Sequence, residues 1–599
     1  MHRLAVLLFL LVSALPVRAG ERHSFTLGKD DFLLDGKPFQ ILSGEMHPAR
    51  IPPEYWRHRI RMAKAMGLNT IAAYVFWNYH EVSEGRFDFT SPGHDIAAFL
   101  KTAQEEGMWV LLRPGPYVCA EWDFGGLPAY LLRDPEMKVR CLYPGYMAAA
   151  EQYIRALARV VKPLQVTEGG PILMVQIENE YGSYGNDRNY LKRLREIWQD
   201  AGVRVPFYTA DGATPYMLEA GTLPGAAVGL DPGSNDRQFA LARQFNPGVP
   251  VFCSELYPGW LTHWGEKWQH PAVDGVLKEV QALLERKRSF NLYVLHGGTN
   301  FGFWAGANSG GKGYEPDVTS YDYDAPVNEQ GRATPKFAAL RDLIARYRPD
   351  VSLPSVPADI PAAAIPPIAM KPFASLWRNL PKPIASVQPR PMEAYGQDFG
   401  MIVYETTLVG RKAGTLAVTD LHDYATVFVD GRYIGKLDRR EGVSTIALPA
   451  TENPTPTLTI LVEGMGRINF AQAMIDRKGI TDRVTLSGMT LMNWRVYPLP
   501  LKEEFIQHLP EGAVDDRPGI FFRGTFSLAE PADTYLDLAG YQKGLVWVNG
   551  HNLGRYWNIG PQKRLYCPAG WLRRGTNEIV VLDLHQLQPA AVAGFTELD

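Results

Sequence analysis

Between Phe25 and Arg348 the chain alternates short apolar runs with amphipathic stretches, and few folds accept that pattern. The runs Phe39–Leu42, Thr70–Val75, Trp109–Leu112, Pro171–Ile177, Phe207–Ala210, Val249–Cys253 and Asn291–Leu295 read as strands, with a fainter sixth strand near Ala226–Leu230. Helical periodicity marks Tyr55–Met66, Asp95–Glu106, Tyr146–Val161, Tyr190–Ala201, Asp274–Lys287 and Lys336–Arg346. Continuously apolar strands separated by helices imply a parallel sheet covered on both faces. Eight such repeats fit a closed (β/α)₈ barrel better than an open sheet.

The 599 residues exceed one domain. Ten prolines between Pro354 and Pro391 read as a semi-rigid linker, and beyond them short strands and turns signal all-β structure. Val427–Gly435 is echoed by Val546–Gly554, each a strand, an Asp-Gly or Asn-Gly turn and a returning strand. The expected layout is a barrel over 20–350, a linker over 351–391, a β-sandwich over 392–510 and a second sandwich or jelly roll over 511–599. The tail modules are expected to brace the barrel rather than to bind sugar independently.

Residues 1–19 have the form of a signal peptide: Arg3, an apolar core from Leu4 to Leu15, and Val17-Arg18-Ala19 before the cut. Periplasmic or secreted location, with no membrane attachment after cleavage, is the expectation. The only Asn-x-Ser/Thr pattern is blocked by Pro454, which favours a bacterial exported protein. A net charge of −3 gives no electrostatic footprint for nucleic acid. The four cysteines, Cys119, Cys141, Cys253 and Cys567, form no CxxC pair, and no HExxH is present, so no metal is expected. A disulfide between Cys119 and Cys141 is the nearest pairing, but spacing does not fix it. Gly306–Gly313 imitates a phosphate loop but lacks the Ser/Thr that would hold Mg²⁺, and no helix pattern follows.

Barrel active sites lie at the carboxyl ends of the strands. There the sequence is rich in chemistry: Tyr74–Glu81, Arg113–Trp122, Gln176-Ile177-Glu178-Asn179-Glu180-Tyr181-Gly182, Glu255 with Tyr257, and Tyr293 with Tyr321–Asp324. Taken singly, Glu81 and Asp322 read as salt-bridge or capping residues, and His80 as a satisfied polar group. Jointly they supply what glycoside hydrolysis requires: one carboxylic acid to protonate the leaving oxygen and one carboxylate across the sugar. Spacing alone does not decide between Glu178 and Glu180.

The chain resembles glycoside hydrolase family 35 β-galactosidases. The resemblance is carried by Arg113–Tyr117, Gln176–Gly182, Ser254-Glu255, Gly259-Trp260 with His263-Trp264-Gly265, Gly297–Gly302 and Ser320–Pro326. It implies Glu180 as proton donor, Glu255 as nucleophile and Glu178 as a supporting acid. It also implies Asn179 on the sugar 2-hydroxyl, with Tyr74, Cys119, Ala120, Glu121, Tyr257, Tyr293, Tyr321 and Tyr323 lining the terminal-galactose pocket. The implied activity is retaining, cofactor-free hydrolysis of terminal β-D-galactose from oligo- or polysaccharides such as plant xyloglucan or galactan side chains. The alternatives are an exo-hydrolase of another terminal sugar, such as a β-glucosaminidase, and a non-catalytic sugar-binding protein.

Overall fold

The computed structural model describes residues 20–410, 413–512 and 514–599; the signal-peptide reading therefore lies outside the described residues. Eight parallel strands close into a barrel: β1 (Leu42–Met46), β2 (Thr70–Tyr74), β3 (Trp109–Arg113), β4 (Ile172–Gln176), β5 (Phe207–Asp211), β6 (Ala227–Leu230), β7 (Val251–Leu256) and β8 (Phe290–His296), with β8 pairing back to β1. Every residue of these strands is buried, as a sheet inside a helical ring requires.

The ring contains α1 (Trp56–Met66), α2 (Ile96–Glu105), α3 (Pro144–Val161), α4 (Arg188–Asp200), α5 (Pro215–Gly221), α6 (Asp236–Phe245), α7 (Val273–Glu285) and α8 (Pro335–Tyr347). In α4 the buried set Tyr190, Leu191, Leu194, Ile197 and Trp198 follows the helical period and turns one stripe to the strands. Caps set the boundaries. Asp95 accepts from Ala98 N at 2.9 Å, Asn235 and Gln238 form a capping box on α6, and Thr334 precedes a proline that opens α8. Gly67, at φ 99°, ends α1 in a left-handed turn.

Strand one differs from the sequence expectation: it runs over Leu42–Met46 rather than Phe39–Leu42. Ser43-Gly44-Glu45 looks like a turn, yet each residue suits the interior. A Cβ on Gly44 would lie 2.6 Å from Leu68 Cδ1, and Glu45 is neutralised by Arg113. The preceding aromatics instead close the barrel's floor, where Phe32 packs edge-on to Phe252 at 5.5 Å.

Two all-β modules follow. In the first, a six-stranded sheet faces a four-stranded one across Ile402, Tyr404, Leu416, Val427 and Val484. The second pairs a five-stranded and a four-stranded sheet across Phe522, Leu536, Val546 and Val581. The echoed hairpins are real: Tyr424–Val429 pairs with Arg432–Asp438, and Lys543–Val548 with His551–Trp557. Their turn residues Asp430, Gly431, Asn549 and Gly550 all have positive φ, which matches the right-handed twist of the flanking strands.

The linker expectation over 351–391 needs correction. Ile365–Ile368 pairs with Val592–Phe595, and Lys371–Ser375 pairs with Ile520–Leu528, so this stretch belongs to the last module. Ile384–Ser386 then pairs with Trp494–Leu499 in the first module. All three are edge strands, the one place in a sheet that tolerates proline. Pro366, Pro367 and Pro372 are exposed there.

Candidate active site

The carboxyl ends of the barrel strands converge on a cavity of about 140 Å³ lined by Tyr74, Cys119, Ala120, Glu121, Asn179, Glu180, Glu255, Tyr257, Tyr293 and Tyr323. Of the residues implied by the sequence resemblance, Tyr321 and the supporting acid Glu178 are not on this wall. Tyr321 is the one expected to line the pocket. It sits behind the wall, donating its hydroxyl to Glu121, with Arg50 stacked 3.7 Å from its ring centroid.

Backbone geometry sorts the acids of the motif after β4. Glu178 and Glu180 both adopt left-handed conformations, φ 61° and 47°, on either side of Asn179. Glu178 is fully buried away from the cavity, where Arg140 Nε and Nη2 each donate to it at 2.8 Å. Glu180 faces the cavity. Its amide donates to Ala210 O at 2.8 Å, and among the described residues its carboxylate has only Asn179 Nδ2, at 3.5 Å. Asn179 is aimed by three donors to its oxygen: Gln176 Nε2 at 2.8 Å, Arg113 Nη2 at 2.9 Å and Tyr74 OH at 3.0 Å. Its amide nitrogen therefore has one direction left.

Glu255, at the end of β7, has a different environment. Arg113 Nη2 forms an ion pair with it, Tyr257 OH donates at 2.9 Å and Tyr74 OH lies at 3.4 Å. The Arg113 guanidinium also pairs with Glu45 and donates to Gln176 at 2.7 Å, so one buried cation serves two carboxylates. Burial pushes the Glu180 and Glu255 carboxyl groups up. For Glu255 the Arg113 charge and the Tyr257 hydroxyl oppose the rise. For Glu180 the negative Glu255 adds to it, and the acid reaches about 8. The pocket thus holds one carboxyl group that keeps its proton at neutral pH beside one held by a cation.

The wall between β3 and the next helix contains three consecutive left-handed non-glycine residues, Cys119, Ala120 and Glu121. Such backbone is costly and persists only where its surroundings over-determine it. Here Arg50 donates to Ala120 O, Glu121 O accepts from Gly306 N at 3.0 Å and Asp123 N donates to Trp304 O at 2.9 Å. Cys119 and Cys141 are both free thiols, so the suggested disulfide is absent. The residues discounted singly are structural: His80 Nδ1 contacts Asp88 O at 3.1 Å, Glu81 accepts from Gly85 N, and Asp322 from Asp324 N and Glu329 N.

Glu45, His47 and Arg50 escaped sequence reasoning because strand one was misplaced. Their signal is the density of chemistry in Gly44–Arg50, which spans the carboxyl end of the true strand and the turn after it. His47 Nδ1 receives Arg50 Nη1 at 2.6 Å and Nε2 faces Glu45 at 3.1 Å; burial and the two arginines hold this ring well below the usual imidazole range. Trp260, Leu261, Asn308 and Phe470 also line the cavity and were not foreseen as site residues.

A parallel barrel with a paired acid and carboxylate at the carboxyl ends of β4 and β7 defines a glycoside hydrolase. Residues 31–347 match glycosyl hydrolases family 35, residues 389–500 the β-galactosidase first all-β domain and residues 519–577 the β-galactosidase galactose-binding domain. The chain is 44% identical to a β-galactosidase of Xanthomonas manihotis over 94% of its own length and 95% of the relative's. It is 41% identical to β-galactosidase 17 of Arabidopsis thaliana, covering 94% and 87%, and 38% identical to a β-galactosidase of Bos taurus, covering 97% and 94%. The chain belongs to glycosyl hydrolases family 35.

Proposed function

We propose that this glycoside hydrolase releases terminal non-reducing β-D-galactose by double displacement, with Glu255 as nucleophile and Glu180 as acid and then base. The contrast between the two carboxyl groups supports this reading most directly. Glu180 is raised to about 8 with no cation in hydrogen-bond contact, whereas Glu255 is ion-paired with Arg113 in the same pocket. The relatives named as β-galactosidases support galactose as the sugar removed.

In the first step Glu255 attacks the anomeric carbon as the bond to the leaving oxygen breaks and Glu180 transfers its proton to that oxygen. The Glu180 carboxylate then takes a proton from water, whose oxygen displaces Glu255, and β-galactose leaves with its configuration retained. Asn179 Nδ2, beside Glu180, is placed to hold the 2-hydroxyl. Glu121, braced by Tyr321, is placed to accept from ring hydroxyls, and the phenols of Tyr257, Tyr293 and Tyr323 enclose the ring. A small pocket rather than a long groove favours removal of one end residue.

The test is turnover of aryl β-galactoside against aryl β-glucosaminide, with NMR reading the first anomer released. An α anomer as first product, or preference for the glucosaminide, would overturn the assignment. Galactosylated side chains of plant xyloglucan or galactan are the substrates we propose. Export is proposed from residues 1–19 alone; mature protein recovered outside the cytoplasm with its amino terminus near residue 20 is the expected outcome.

A further inference from the structure

The glycine-rich stretch that imitates a phosphate loop is an antiparallel hairpin, Ala307–Gly310 against Gly313–Pro316. It stands on the pocket wall: Gly306 N donates to Glu121 O at 3.0 Å, and Pro316 O accepts from Trp264 N at 2.9 Å. From this hairpin Asn308 reaches the cavity.

The amide of Asn308 is oriented. Its Oδ1 accepts from His263 Nε2 at 3.0 Å. That nitrogen's other neighbour, Asp317 Oδ1 at 3.5 Å, is also an acceptor, so the nitrogen bears the hydrogen. The imidazole is fixed from its far side by Glu266, whose Oε2 lies 3.2 Å from His263 Nδ1 and also accepts from His263 N at 3.2 Å. Lys312, near the hairpin tip, approaches Glu266 at 3.7 Å. With Oδ1 engaged, the Nδ2 donors of Asn308 are left to the cavity. The same cavity is bordered by Trp260, 45% exposed, and by Phe470 from the first β-module. A fixed amide donor beside two aromatic faces is what a second sugar ring needs: apolar faces for its C–H surface and a donor for one oxygen.

We propose that Asn308, oriented by His263, recognises the sugar on the leaving-group side of the scissile bond, donating from Nδ2 to a hydroxyl or N-acetyl oxygen of that ring. This rests on the galactosidase reading and adds the leaving-group preference that the hydrolytic pair does not determine. His263 is a positioning residue and Asn308 the recognising one.

The experiment compares kcat/KM for 4-nitrophenyl β-galactoside with that for galactosyl-glucose and galactosyl-N-acetylglucosamine. The variants are Asn308→Ala, Asn308→Asp, which keeps the shape but loses the N–H donors, His263→Phe and His263→Gln. Both Asn308 variants are expected to lose about tenfold more on a disaccharide than on the aryl substrate, the value of one hydrogen bond in a dry site. His263→Phe should shift the ratio the same way, and His263→Gln, which can still donate to Oδ1, should recover part of it. Equal losses on all substrates, or an unchanged ratio, overturn the proposal. Failure of the unmodified enzyme on the aryl galactoside would instead overturn the galactose assignment, and the ratio is then read with glycosides of the sugar that is turned over.

Discussion

At the residue scale the decisive feature is how one buried cation is shared. Arg113 holds Glu45 and Glu255 at once, and among the described residues no cation forms such a pair with Glu180. Activity should therefore need Glu180 protonated, and kcat/KM should fall as pH rises through about 8; Glu180→Gln should remove that limb. Tyr257 OH stabilises the ionised Glu255, so Tyr257→Phe should move the acid limb to higher pH. Glu178→Gln should behave unlike Glu180→Gln. It leaves Arg140 buried without its counter-charge, at a cost of about 3–5 kcal/mol, and lowers Tm, whereas Glu180→Gln should abolish turnover and leave the fold intact. Stability should also vary with pH. Glu180, Asp211 and Glu329 are each raised to about 8, above their unfolded values, so their stabilising contribution is complete below the ordinary carboxylate range and is lost as pH climbs through about 8. Thermal melts from pH 5 to 9 should decline, less so for Asp211→Asn. Strand ends in a barrel point to one place, which made Glu178, Glu180 and Glu255 legible as candidates; the choice of Glu180 over Glu178 rested on the family resemblance. Arg113 was visible as a motif letter only, since its partners come from β1 and β7 and no spacing joins them.

At the element scale the strand-end loops are pressed together, and glycine is what allows it. A Cβ on Gly259 would lie 1.6 Å from Tyr323 O, and one on Gly297 would lie 1.7 Å from Tyr321 O. Gly259→Ala should push the Tyr321–Asp324 loop outward and carry Tyr323 from the pocket. A displacement near 1 Å is worth on the order of 10²-fold in kcat/KM; steady-state kinetics beside a melting curve would check it. The six helices read from the sequence have boundaries within a residue or two because periodicity and caps agree, as at Asp95 and Thr334, whereas Pro215–Gly221 and Asp236–Phe245 were not read. Strand one was not, since a glycine chosen for close packing and a glutamate chosen for an ion pair look locally like a turn. Such conflicts between local pattern and observed element concentrate where a protein does its chemistry.

At the scale of the whole molecule the first β-module is part of the active site. Its segment Gly466–Phe470 threads between two barrel loops: Arg467 N donates to Asp123 Oδ1 at 2.7 Å, Arg467 Nη1 pairs with Asp123 Oδ2 at 3.0 Å, and Asn469 O accepts from Tyr117 OH at 2.6 Å. Asp123 closes the strained Cys119–Glu121 turn, so bracing of the barrel is also shaping of the pocket. Arg467→Ala should raise KM for galactosides and cost about 3–5 kcal/mol in stability, because Asp123 is left buried and unpaired. Sequence periodicity announced the modules but not this threading, which rests on loop contacts with no repeat. The detour through the proline-rich stretch was equally invisible, since its edge strands obey no alternation. That detour has a consequence during biosynthesis. The first β-module is inserted within the second, whose early strands end at Ser375 while the partner of Lys371–Ser375 begins at Ile520 and that of Ile365–Ile368 only at Val592. At roughly 5–20 residues per second, about 145 residues of intervening synthesis leave Lys371–Ser375 waiting on the order of 10 s for a partner. The second β-module is therefore completed only after the first, and a chain that stops short of it exposes two orphaned strands that mark it for chaperones and proteases.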